Sequence, residues 1–169
     1  YILLLPYLIG YYSGGQYEEL RMNKSKYSFI RDPEKVDEFF GWDSIFNLKK
    51  DIKGKKLDWE KIQEEILNWI INGPQPPQYS VFKQDFLEGK KIEISKIRVS
   101  NEENEKGKSA GFRLVVFIER RYNVIVVMHL FSKKEKNDLT QKDKNKLSSW
   151  FKNYVESEKQ KMNGQHYNI

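Results

Sequence analysis

Two apolar runs, Phe112 to Ile118 (FRLVVFI) and Val124 to Phe131 (VIVVMHLF), constrain this chain more than any other feature. Each is apolar at nearly every position and rich in β-branched and aromatic residues. Such a run reads as a central strand covered on both faces. The short link Glu119 to Asn123 joins the two as an antiparallel hairpin. Ile92 to Val99 (IEISKIRV) supplies a third strand, separated from the hairpin by the polar loop Ser100 to Ala110. Lys26 to Arg31 (KYSFIR) alternates weakly and reads as a short strand.

Before the sheet the apolar period is helical. Asp32-Pro33 is an N-cap followed by proline at the first helical position, with Val36, Phe39 and Phe40 as its apolar stripe. Gly41 breaks this helix, which resumes from Ser44 to Leu48, and Lys49 to Lys56 reads as a charged loop. Asp58 caps a clearer helix whose Trp59, Ile62, Ile66, Trp69 and Ile70 recur at helical spacing. Gly73 and Pro74-Gln75-Pro76-Pro77 end it. After the sheet, Ser132 to Leu139 is a basic loop. Thr140, with Asp143 as capping partner, opens a final helix bearing Leu147, Trp150, Phe151, Tyr154 and Val155. Helices, then an antiparallel sheet, then a closing helix make an α+β domain.

Only 38% of residues are hydrophobic, a fraction that by itself leans toward disorder; aromatics at 14% supply the missing apolar area. The chain has no cysteine, which removes disulfides, thiolate nucleophiles and Cys-based metal sites. His129 and His166, the two histidines, are far apart, and neither a metal nor a cofactor is expected. No phosphate-loop, dinucleotide, serine-hydrolase or zinc-protease motif is present. The apolar start, Tyr1 to Tyr12, is too short to span a membrane and contains Pro6. It reads as a strand or a docking segment.

The net charge of +6 is uneven. Residues 86–169 carry +7, against −1 for residues 1–85. A polyanion or an acidic partner is therefore expected at the C-terminal half. Lys96 and Arg98 share one face of their strand with Ile92 and Ile94. Arg113 opens the next strand, and Lys133, Lys134 and Lys136 follow the strand that pairs with it. In a meander these cations meet at one end of the sheet, where they suit a phosphodiester. His129, on a buried strand, reads either as a satisfied core residue or as a catalytic one.

The segment Lys96-Ile97-Arg98-Val99, followed by Gly107-Lys108-Ser109-Ala110-Gly111-Phe112-Arg113, resembles the "K-x-R … G-K-S-x-G-[FY]-R" core of RelE/ParE-superfamily toxins. Met128 to Lys134 is similar to their last strand and its basic exit. The resemblance implies an N-terminal helical hairpin packed on a small, mainly antiparallel sheet with a closing C-terminal helix. It places the toxin domain at residues 26–156, after an unassigned extension, 1–25, and before a polar tail, 157–169. It implies a cytoplasmic, metal-independent endoribonuclease that cleaves mRNA, on the ribosome or free, and a cognate antitoxin protein that neutralises it. Lys96 and Arg98 match the basic strand pair, Arg113 the arginine that stabilises the transition state, and Lys134 a second phosphate ligand. Lys108, Lys133 and Lys136 are expected to bind substrate. Thr140 stands near the position of the family's tyrosine, so its role as base or stacking partner falls to His129, to Lys96 or to a different aromatic such as Tyr154. The ParE branch implies an alternative, a gyrase poison that cuts no RNA; a further one is a binding module without activity.

Overall fold

A computed structural model describes residues 26–40, 45–73, 79–99 and 111–165. Five strands form one sheet in the order β1-β5-β4-β3-β2: β1 (Ser28–Ile30), β2 (Tyr79–Leu87), β3 (Lys90–Val99), β4 (Phe112–Glu119) and β5 (Val124–Ser132). Strands β2 to β5 form an antiparallel meander, while β1 lies parallel to β5. Every residue of β4 is buried, and so is β5 apart from its two ends. The doubly apolar hairpin thus occupies the middle of the sheet, and its two faces both demand cover.

That demand decides where the helices go. They are α1 (Pro33–Phe39), α2 (Leu48–Ile52), α3 (Trp59–Asn72) and α4 (Gln141–Gln165). On one face of the sheet, Phe117 of β4 meets Phe39, Trp150 and Tyr154 at ring distances of 6.1, 5.0 and 5.1 Å. Helices α1, α2 and α4 cover this first face. Helix α3 covers the second, where Trp59 meets Phe29 at 6.2 Å and Trp69 meets Tyr79 at 5.3 Å.

The N-terminal helical hairpin expected from the toxin resemblance is therefore not formed. The segments before the sheet are two short helices and one of 14 residues, divided between opposite faces; the longest helix, 25 residues, is C-terminal. Pairing α3 with its predecessors would have left one face of β4 and β5 in water. The sheet is also mixed, because β1 runs parallel to its neighbour.

Local chemistry explains the boundaries. Asp32 caps α1 by accepting bonds from the N–H groups of Glu34 and Lys35, and Asp58 caps α3 through Lys61. Asn47 caps α2, so a five-residue helix stands where a charged loop is expected. Thr140 and Asp143 form a reciprocal box: the Thr140 N–H donates to Asp143 at 3.0 Å, and the Asp143 N–H to Thr140 Oγ1 at 3.1 Å. Helix α4 then continues through the polar segment beyond Val155. A buried clamp holds it there: Arg121 donates to Glu119 at 2.8 Å and to Glu158 at 2.9 Å, and the Tyr154 hydroxyl donates to Glu119 at 2.9 Å. The Glu119 hydrogen bond contributes most to holding the Arg121 guanidinium above its ordinary pKa. No described helix is long and apolar enough to cross a membrane.

Candidate nucleic-acid interface

The register of the meander assembles the cations that the sequence leaves scattered. Lys96 of β3 lies opposite Val115 of β4, which lies opposite His129 of β5. One step along, Arg98 lies opposite Arg113, which lies opposite Phe131. Directly opposed residues of antiparallel strands project from the same side. Lys96, Arg98, Arg113 and His129 therefore share the first face, at the end of the sheet where β3 and β5 finish and β4 begins.

Arg98 and Arg113 are like charges in cross-strand contact positions. Arg113 is only 6% exposed, and its guanidinium reaches the Gly111 carbonyl at 3.4 Å. Burial lowers its pKa, the Arg98 charge adds to the effect, and Asp138 opposes it. An arginine under these conditions keeps its proton, so a buried cation sits at this sheet end directly opposite Arg98.

Lys96 has a resident partner. Its Nζ is 2.6 Å from Asp138 Oδ1, and Lys144 reaches Asp138 Oδ2 at 3.4 Å. Burial of Asp138 works against ionisation. The hydrogen bonds from Lys96, the Leu139 backbone and Lys144, with the Lys96 charge, outweigh it and hold the carboxyl below its ordinary pKa. Asp138 belongs to the loop between β5 and α4, so this loop lays a carboxylate against the lysine.

His129 is a different kind of residue. Its Nδ1 lies 2.6 Å from Asp51 of α2, the Leu130 N–H donates to the same oxygen at 3.4 Å, and Phe46 stacks on the ring at 4.1 Å and 9°. Nε2 is buried and has no hydrogen-bond partner among the described residues. Of its two sequence readings, the core role is the one this packing favours, because the free nitrogen does not reach the surface.

The loop after β5 divides its lysines. Lys133 and Lys134 are exposed beside the sheet end that holds Arg113, in a turn closed on the Ser132 carbonyl by the N–H groups of Glu135 and Lys136 at 3.1 and 3.2 Å. Lys136 is engaged instead: it bonds Asp143 at 2.8 Å and lies over the Phe131 ring at 4.7 Å. Burial opposes ionisation of Asp143, yet Lys136 and Thr140 hold its pKa down to about 2. Lys108 and residues 107–110 of the glycine–serine motif lie outside the described residues. Among the described residues no three His, Asp or Glu side chains group as metal ligands.

Comparison with protein-family models, with curated proteins and with solved structures gives no match.

The site thus rests on its own geometry. Lys96, Arg98 and Arg113 come together, Lys133 and Lys134 stand at the margin, and His129 and Lys136 are committed to carboxylates. Asp51 and Asp138, the two carboxylates that decide which cations remain available, escape sequence reasoning. Each lies far along the chain from its partner, and neither spacing nor periodicity marks it.

Proposed function

We propose that this chain binds RNA through the phosphodiester backbone at the Lys96–Arg98–Arg113 face and cleaves it, as the toxin of a toxin–antitoxin pair directed at mRNA. The observation that supports this reading is the direct opposition of Arg98 and Arg113 across β3 and β4, with Arg113 nearly buried. Planar guanidinium forks match the non-bridging oxygens of a phosphodiester. Held in place before the substrate arrives, they also oppose the charge that grows on those oxygens during transfer.

In the reaction the 2′-oxygen bonds to phosphorus as its proton passes to a base. The bond from phosphorus to the 5′-oxygen breaks, and that oxygen takes up a proton. The products are a 2′,3′-cyclic phosphate and a 5′-hydroxyl. Lys96, paired with Asp138, is placed to donate to the leaving oxygen or to the phosphate once the substrate displaces Asp138. Lys133 and Lys134 add positive potential that draws the strand in. An antitoxin segment for this face is acidic or amphipathic by the same charge logic.

The test uses a labelled mRNA fragment in excess chelator, with and without ribosomes. Products ending in cyclic phosphate, absent with Arg113→Met and absent at a 2′-deoxy position, support the reading; intact RNA with folded wild-type protein contradicts cleavage. One observation favours a second reading, RNA binding without cutting. The His129 Nε2 is enclosed and the Lys96 ammonium is held by Asp138, so neither is an open, unprotonated base on this face. Salt-sensitive binding with no products over the same assay distinguishes it.

A further inference from the structure

The free edge of β2 carries a self-complementary pattern. β2 ends the strand order and is hydrogen-bonded to β3 alone; among the described residues no other backbone group bonds it. Open strand edges recruit a further strand unless something blunts them. The turn that closes β2 onto β3, Glu88-Gly89, has both residues at positive φ, 52° and 71°, the type I′ geometry of a two-residue hairpin. In such a hairpin the closing pair, Leu87 and Lys90, exchanges its backbone bonds. The antiparallel alternation then turns the N–H and C=O groups of Phe86 and Gln84 outward; the Phe86 N–H donates to Asp85 Oδ1 at 2.7 Å, a contact that pairing exchanges for a backbone bond. Lys83 and Gln84 are exposed, and Phe86 is 58% exposed, unusual for so large an apolar side chain.

We propose that β2 pairs antiparallel with β2 of a second copy of this chain, about a two-fold axis at Gln84. In this register Lys83 of each copy faces Asp85 of the other, and Phe82 faces Phe86, so every favourable pair occurs twice. Lys83 and Asp85 both lie on the first face, opposite Ile94 and Ile92, and so meet on one side of the joined sheet, where Asp85 already has Lys159 of its own chain at 3.5 Å. They fall at a non-hydrogen-bonded position, where side chains approach most closely. Moving the axis one residue in either direction opposes Lys83 to Lys83 or Asp85 to Asp85. The charges therefore select this register and reject its neighbours. Pairing stops at Phe82, the extra residue of the bulge between Val81 and Lys83. The groove of 430 Å³ between β2 and α4, lined by Lys83, Asp85 and Phe151 among others, then opens onto its symmetry mate. This proposal is independent of the RNA reading.

Sedimentation equilibrium of the full chain from about 1 to 100 µM tests it. The expected result is a concentration-dependent dimer. Lys83→Asp and Asp85→Lys each set like charges opposite one another and weaken the dimer by about tenfold or more. The double variant Lys83→Asp/Asp85→Lys dimerises more tightly than either single variant, because it recreates both pairs with signs exchanged, though the exchange at position 85 also faces Lys159 of the same chain. Gln84→Pro, tolerated on an edge strand but lacking the outward N–H, is monomeric. Circular dichroism confirms the fold of each variant. A chain that is monomeric throughout the range overturns the proposal. So does a dimer that the single exchanges leave unchanged, or one that the double exchange leaves as weak as the single ones.

Discussion

Arg98 and Arg113 face each other across neighbouring strands, two like charges set side by side with one of them almost excluded from water. Burying a charge costs free energy that apolar residues at the same positions would not. On the proposed reading, this pair meets a phosphate of the RNA backbone.

Stability and binding should therefore move in opposite directions at this pair. Arg113→Met is expected to leave the unfolding free energy within about 1 kcal/mol of wild type, or to raise it. The same change should weaken RNA binding by about tenfold or more. Urea denaturation and fluorescence anisotropy measure the two effects on one sample. A large loss of stability would recast Arg113 as a structural residue.

Asp138 occupies the position of a competing anion at Lys96. Asp138→Asn removes its charge and keeps its shape, and should tighten RNA binding by about three- to tenfold at low salt, the gain shrinking as salt rises. Anisotropy titrations at two ionic strengths check this. Weaker binding by the variant would mean that Asp138 holds the site together rather than blocking it.

The Asp51–His129 contact fastens α2 to β5 on the same face of the sheet as the cations. Asp51→Ala leaves Nδ1 of His129 and the Leu130 N–H without their acceptor, which should cost about 2–3 kcal/mol. Chemical denaturation gives the number. Hydrogen exchange should show the loss concentrated in α2 and the end of β5.

Acid should loosen the start of α4. The pKa of Asp143 is held at about 2 in the folded chain; its depression stabilises the fold above the unfolded carboxyl value of about 4. That contribution, about 1–2 kcal/mol, is lost as pH falls from about 4 toward 2. Asp143→Asn should reduce the pH dependence of this interval, to which Asp138 also contributes, and be less stable than wild type at pH 7, as thermal unfolding across the range will show.

The clamp Glu119–Arg121–Glu158 predicts a larger effect. Arg121→Ala removes the cation shared by two buried carboxylates, leaving Glu119 with Tyr154 and Glu158 with Lys161, and the expected cost is about 3 kcal/mol, with loss of amide protection beyond Val155 in α4. Unchanged protection there would show that α4 is held by its apolar stripe alone.

Much of the sheet was legible because its signals are local. The runs at Phe112 and Val124 carry their own burial, and the Ile92 strand carries its alternation. β2 was not, since its bulge puts an extra residue between Val81 and Lys83 and breaks the two-residue period. The helices at Asp32, Asp58 and Thr140 announce themselves through caps, whereas their division between two faces depends on the sheet they cover. For the site, strand order was enough to bring Arg113 toward Lys96 and Arg98. The fates of Lys96, His129 and Lys136 were hidden in carboxylates that the chain brings up from elsewhere.

The central claim is that the Arg98–Arg113 face binds the RNA backbone, and the salt dependence of binding tests it most directly. For a single-stranded RNA of about a dozen nucleotides, the logarithm of affinity against the logarithm of salt should be linear, with a slope of about −0.7 per phosphate engaged. Arg98→Met/Arg113→Met should flatten that slope by about 1.4, two contacts' worth, with the fold intact. A folded double variant that keeps the wild-type slope and affinity would contradict the account.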